Sequence, residues 1–312
     1  MSPLRERRGV ALMLVLWLIV VLGAIAVGVG ALAREESNVV GNVRTRAAAR
    51  YAAESGVLAT RVRLQRALRA AQTPQGSVLV LRRFAEPPAS GREEVLGATR
   101  FQAVVVNLNA RLDLNGADGP MLVAFFGQFV GPRKAGALAD ALQDWRDEDD
   151  LVRPNGAEAA EYARIGSPFR PSNRPLAGLN ELTRIIGFSD SLATRLAPYV
   201  TVQSDGRVDV NAAPESVLAA VAGVGPAGAR LLVSERAQGA IFDSPVMVWS
   251  VLRHVGNAWG AADIAHLTTL PRRILVVSRG WETGHPLTHE IQAVFDVDGP
   301  VLTLRFWTER DL

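Results

Sequence analysis

From Val10 to Ala33 the chain runs 24 positions without a charge, VALMLVLWLIVVLGAIAVGVGALA. At about 1.5 Å per residue that helix is roughly 36 Å long, enough for a hydrocarbon core of ~30 Å. The helical pattern does not stop there. From Arg34 to Ala71 there is no Pro, and Gly occurs only at Gly41 and Gly56. Val40, Val43, Ala47, Tyr51, Leu58 and Val62 recur at helical spacing. They predict one apolar face, packed on a sheet. Thr73-Pro74-Gln75-Gly76 reads as the stop. The expectation is one continuous helix, its first half (10–33) in lipid and its second half (34–72) on a soluble domain.

The pattern then changes. Ser77–Phe84 (SVLVLRRF) and Thr99–Asn107 (TRFQAVVVN) read as strands, as do Arg273–Ser278, His289–Phe295 and Val301–Trp307. Asp298-Gly299 lies between the last two, a hairpin signal. Between these groups, residues 112–270 are alanine-rich and helical with Gly and Pro breaks. The economical fold class is α+β: an N-terminal transmembrane/long helix packed on an antiparallel sheet (73–111 and 271–312), with an α-helical domain (112–270) inserted between strands.

Composition narrows the chemistry. A length of 312 residues suggests two domains, and the absence of Cys excludes disulfides, thiolate metal sites and a Cys nucleophile. The net charge is +3, and Lys134 is the only lysine among 34 basic residues. Arginines and acids are interspersed, unlike the concentrated basic patch of a nucleic-acid binder. The leader MSPLRERRG allows three readings. Ala31-Leu32-Ala33 would suit a signal peptidase, but the apolar run exceeds the usual h-region. A plain anchor is the second. The third is a pilin-like leader ending at Gly9, with the apolar helix starting at Val10. Arginines are nearly balanced across the span, yet long downstream domains translocate largely regardless of charge. The N-terminus is therefore placed in the cytoplasm.

Motifs for catalysis are thin. Gly223-Val224-Gly225-Pro226-Ala227-Gly228 fits G-x-G-x-x-G, but it follows a helical stretch and not a strand. It reads better as a helix-hairpin-helix turn, with a second hairpin at 182–196. Such turns can hold DNA phosphates, so a membrane-anchored helix-hairpin-helix DNA-binding protein is the alternative function. Leu112-Asp113-Leu114-Asn115-Gly116-Ala117 and Val208-Asp209-Val210-Asn211-Ala212-Ala213 form an internal repeat, read as helix capping. Asp144, Asp147, Asp149, Asp150 and Glu158 cluster in DWRDEDDLVRPNGAE. The spacing starts like an EF-hand loop but fails at Leu151 and Val152. Two readings stay open: a hard cation such as calcium, or an acidic loop paired with Arg146, Arg153 and Arg164. His285 and His289 flank Pro286 and do not share a helix face.

Four segments occur here in one order: Arg7-Arg8-Gly9 before Val10-Ala11-Leu12, the acidic stretch 144–158, Phe169-Arg170-Pro171-Ser172-Asn173-Arg174-Pro175, and VDVNAAP at 208–214. Together they resemble the protein K family of the general secretion pathway, the large minor pseudopilins of type II secretion systems. The resemblance implies a type IV pilin-like sheet carrying the helical insertion, and calcium near the acidic loop. Asp147, Asp149 and Glu158 are then the better ligands and Asp144 the weaker one. It implies a prepilin leader (1–9), cleavage after Gly9 by the prepilin peptidase, and N-methylation of Val10. Leu14 then stands at mature position five, where most pilins carry Glu. The implied protein is non-enzymatic and single-pass in the inner membrane, with its C-terminal domain in the periplasm. It sits at the pseudopilus tip with the I, J and H types, above the major pseudopilin, and serves pilus initiation and secretion. No nucleic-acid partner is implied.

Overall fold

The computed structural model describes residues 7–86, 91–255 and 265–312, with the side chains of 7–11 and 30–39 outside the description. Helix α1, Arg7–Ala70, runs unbroken for 64 residues. Within it Leu12–Val29 has a mean hydropathy of 2.9 and no buried residue, and is long and apolar enough to cross a membrane.

The second half of α1 lies on a five-stranded antiparallel sheet. The strands are β1 (Glu93–Leu96), β2 (Thr99–Asn107), β7 (Arg273–Glu282), β8 (Thr288–Asp298) and β9 (Val301–Asp311), in the order β1-β2-β7-β8-β9. The sequence-derived strands at 99–107 and at the C-terminus are present, and the three C-terminal ones run longer than expected. Alternation places Ile274, Val276, Ile291, Ala293 and Phe295 against Ala53, Val57, Leu64 and Leu68 of α1 in one core.

The face that α1 buries differs from the expected one. Val40, Val43, Tyr51, Leu58 and Val62 are exposed, and the packed stripe is Ala49, Ala52, Ala53, Val57, Thr60, Leu64 and Leu68. The reason is at Gly280 of β7. A Cβ there would stand 2.2 Å from the Ala53 amide nitrogen and 2.4 Å from the Ala49 carbonyl oxygen. The helix backbone is seated directly on the strand, which only a stripe of small residues allows. Apolar spacing alone marked the larger side chains.

Residues 77–84 are a second correction. They form no strand but helix α2, Pro74–Ala85. Thr73 Oγ1 accepts from the Gly76 amide at 3.0 Å, and Pro74 sits in the first turn. Val78 and Leu81, three apart, are buried, Leu81 in the core beneath α1. That burial and the cap override the β propensity of Val-Leu-Val-Leu.

Between β2 and β7 the described chain is helical apart from two short parallel pairs. The helices are α3 (Gly119–Phe126), α4 (Pro132–Arg146), α5 (Ala159–Arg164), α6 (Asp190–Leu196), α7 (Glu215–Leu218), α8 (Gly225–Ala237) and α9 (Pro245–Leu252). β3 (Leu112–Asp113) pairs with β4 (Val200–Thr201), and β5 (Val208–Asp209) with β6 (Leu267–Thr268). This region has its own core, centred on Leu122, Phe125, Phe126, Leu142, Leu218 and Leu232. α8 starts at Gly225 after α7 and not after a strand, so the G-x-G-x-x-G run has no dinucleotide-binding context.

The internal repeat proves to be the same geometry twice. Asp113 Oδ1 accepts from the Asn115 amide, and Asp209 Oδ1 from the Asn211 amide, each at 2.9 Å. Asn115 Nδ2 donates to the Leu176 and Val202 carbonyls, and its Oδ1 accepts from the Leu176 amide. Asn211 does the same with Phe242 and Thr269. Arg146 donates to the carbonyls of Leu114 and Ala117, and Arg236 to those of Val210 and Ala213. The Asp and Asn side chains brace turns and tie distant segments together. The capping expectation is thus corrected: the α3 cap is Asp118, whose Oδ1 accepts from the Met121 amide.

Candidate functional site

The acidic stretch forms the loop between α4 and α5. Asp144, in the last turn of α4, is fully buried. Its Oδ1 pairs with Arg153 Nη1 at 2.8 Å and its Oδ2 accepts from the Arg153 amide at 3.2 Å. The same guanidinium reaches Asp147 Oδ2. Gly156 crosses directly over Asp144: a Cβ at 156 would stand 1.9 Å from Asp144 Oδ2. Asn173 takes a left-handed conformation (φ 46°), and the amides of Ser172 and Asn173 both reach the Trp145 carbonyl. The FRPSNRP segment is thereby laid against the loop, and Asn173 Nδ2 donates to Asp150 Oδ1 at 3.0 Å.

Glu158 carries the electrostatic signature. It is buried, both carboxylate oxygens lack a hydrogen-bond partner, and so does Asp147 Oδ1. Burial pushes the Glu158 carboxyl up to about 7, assisted by the charges of Asp144, Asp147, Asp150 and Asp149. Uncompensated buried carboxylate oxygens are costly, on the order of 1–3 kcal/mol or more for a charged group. Of the expected ligands, Asp144, Asp147 and Glu158 face the loop interior. Asp149 turns outward, its Oδ1 accepting from the Leu151 amide at 2.9 Å. Among the described residues no three Asp, Glu or His side chains are grouped so that they could hold a metal ion. Arg153 stands between Asp144 and Asp147 as the internal counter-ion. Of the three arginines of the ion-pair reading, only Arg153 takes that place, while Arg146 goes to backbone carbonyls.

The donor types are those a hard divalent cation takes, although the side chains are not gathered around one point. The loop offers only oxygens, several of them anionic, and three of those are buried and unpartnered. The four histidines do not contribute. His289 is buried in the sheet, its Nδ1 2.7 Å from Asp311 Oδ1. The second feature of functional interest is the unpacked side of α1, where Val40, Val43, Tyr51, Leu58 and Val62 lie in solvent. The leader residues 1–6 lie outside the described residues. Gly9 and Val10 fall in α1, with side chains that are not described.

The chain is thus a long helix, apolar at its N-terminal end and laid on an antiparallel sheet at the other. Residues 106–205 match the family model of type II secretion system (T2SS), protein K. Three curated relatives are named type II secretion system protein K. The protein of Dickeya chrysanthemi is 36% identical over 80 residues, 26% of this chain and 22% of the relative. That of Aeromonas hydrophila is 39% identical over 75 residues, 24% and 23%. That of Pseudomonas aeruginosa is 34% identical over 101 residues, 32% and 30%. The aligned stretches thus span between a fifth and a third of these relatives. In fold the chain is similar to one in the crystal structure of the GspK-GspI-GspJ complex from the enterotoxigenic Escherichia coli type 2 secretion system. The TM-score is 0.67 at 16% identity, covering 88% of this chain and 99% of that one. The resemblance drawn from the leader, the acidic stretch and the two later motifs is borne out.

Proposed function

We propose that this chain is a structural, non-catalytic minor pseudopilin that caps a type II secretion pseudopilus. It is held in the inner membrane by α1, with its N-terminus in the cytoplasm and the bulk of the chain in the periplasm. The protein K match at 106–205, joined to a pilin-like helix and sheet, carries this reading. Two observations support it. The bare apolar stripe of α1 suits packing against the helices of neighbouring subunits, as apolar faces seek partners. The helical region between β2 and β7 adds bulk that a helically packed shaft has little room for. Leu14 fits an apex position as well. A carboxylate there would need a neighbouring amine, and an unpaired one costs on the order of 2.5–3.5 kcal/mol in a membrane.

The partners expected are the I, J and H types, through residues 34–72. The full chain co-expressed with the I-type and J-type subunits of the same genome should co-purify in equal amounts. Labelled protein should sit at one end of the filaments, and gene deletion should impair pilus initiation. Label spread along the filament length would refute the cap. The DNA-binding alternative is not favoured, because α8 offers no basic side chain before Arg230.

Processing follows from the same reading. The prepilin peptidase cleaves after Gly9 and Val10 is N-methylated. Gly9→Val is expected to leave the precursor uncut, read by mass spectrometry of the N-terminus. A mature chain beginning at Arg34 would establish an ordinary signal peptide instead.

The loop at 144–158 is proposed to hold calcium. Asp147 and Glu158, which hold the unpartnered buried oxygens, supply the first ligands, with Asp144 beside them. Asp149 joins only by turning inward from its bond to the Leu151 amide. The ion neutralises carboxylates that Arg153 alone leaves uncompensated. Its role is structural: it ties the end of α4 to the start of α5.

A further inference from the structure

Among the described residues, the edge of the sheet next to α2 is paired with a strand over only part of its length. β1 pairs with Thr99–Gln102 alone, whereas β2 continues to Asn107. The outer edge of 103–107 has no strand partner among the described residues, so alternate residues turn N–H and C=O outward. Against that edge lies a cavity of about 670 Å³, walled by Val78 and Arg82 of α2, Val104 and Val106 of β2, and Arg236 of α8, with Arg111 also lining it. That volume is in the range of ligand-binding clefts, roughly 300–1,000 Å³.

The charges in the cavity are unevenly matched. Arg82 pairs with Glu86 at 2.6 Å, and Arg236 donates to the Val210 and Ala213 carbonyls. Asp209, also in the wall, accepts from Asn107 and from the Asn211 amide. Arg111 is half-buried, and its guanidinium has neither hydrogen bond nor ion pair among the described residues. Burial pulls its pKa below the ordinary arginine value. A desolvated guanidinium fork with no partner is matched best by a planar carboxylate, which it can bind through two parallel hydrogen bonds.

We propose that this cavity binds a short extended peptide, which adds to the free edge of β2 as a strand and places a carboxylate on Arg111. Main-chain hydrogen bonds to the strand edge supply the register, and the valine walls take alternate apolar side chains. The carboxylate comes from the peptide's C-terminus or from an acidic side chain. Neither the cap position nor calcium is needed for this reading.

Fluorescence anisotropy on the full chain in detergent tests it with three dye-labelled peptides. They are Val-Thr-Val-Thr-Val with a free C-terminus, the same sequence as its amide, and Val-Glu-Val-Thr-Val amide. One of the two carboxylate peptides should bind about tenfold or more tighter than the neutral amide, and which one does so identifies the source. N-methylation of alternate backbone amides should weaken it by a similar factor. Arg111→Gln should bring its affinity down to that of the neutral peptide. Equal binding of all three peptides would overturn the proposal, as would no binding. So would displacement of the peptide by hexanoate at the peptide's own concentration, which would mark a site for free acids. The acid-against-amide comparison on the unaltered chain decides the matter even if the Arg111 variant does not fold.

Discussion

Gly280→Val is expected to lower the stability of the folded chain by about 3 kcal/mol or more, toward the upper end of overpacking substitutions. The atoms that the new side chain would meet are the Ala53 nitrogen and the Ala49 carbonyl oxygen, both backbone. No rotamer change relieves such a contact. The helix must lift away, uncovering Ala49, Ala52, Ala53 and Val57, all now at 1% exposure or less. Buried apolar surface is worth roughly 25 cal/mol per Å², so a small separation along this stripe removes much of what holds helix to sheet. Denaturant titration of the chain in detergent measures the change. A loss under 1 kcal/mol would show that α1 is not seated as described.

Calcium is expected to raise the melting temperature, with a strength set by pH. At a concentration of 100 times the dissociation constant a ligand of the native state contributes about 2.7 kcal/mol. A chelator should remove that gain, and Asp147→Ala with Glu158→Gln, which removes the unpartnered buried oxygens, should abolish the difference. The pH dependence rests on Glu158, whose carboxyl burial holds at about 7 against an ordinary 4.5. The folded state then binds the proton more tightly than the unfolded state does. Without calcium, this group's contribution is present at low pH and is lost as pH rises from its unfolded value through about 7. Calcium needs the ionised carboxylate, so its stabilisation should be small at pH 5 and full at pH 7.5 and above. Melts that coincide with and without calcium at pH 7.5 would remove the cation from the loop.

The long helix and the C-terminal strands were legible because each carries one uninterrupted period over many residues. Residues 77–84 were not. Val-Leu-Val-Leu satisfies a strand locally, and what decides is non-local: the cap at Thr73 and the burial of Val78 and Leu81. The face of α1 failed for a related reason. Two stripes fit helical spacing, and the choice between them depends on Gly280, more than 200 positions away in the chain. The acidic cluster was visible as composition. That Arg153 would enter it, and that Glu158 would be left with both oxygens unpartnered, requires the fold of the loop over Gly156. Arg111 had no sequence signal at all, since one arginine among 34 basic residues is unremarked until its neighbours are known.

The paired braces at Asp113-Asn115-Arg146 and Asp209-Asn211-Arg236 divide the helical region into two units of like construction. Two stretches fold to the same set of bonds in tandem, so each half of the helical region closes on its own Asp-Asn-Arg brace. The stretch that aligns with the family, 106–205, closely brackets the first copy, which runs from Leu112 to Thr201. Only that copy carries the acidic loop; the second, from Val208 to Thr268, passes from Arg236 to Phe242 by a short connection. The charged loop is thus an insertion into one unit of the repeat, and the bracing of the turns works the same way without it.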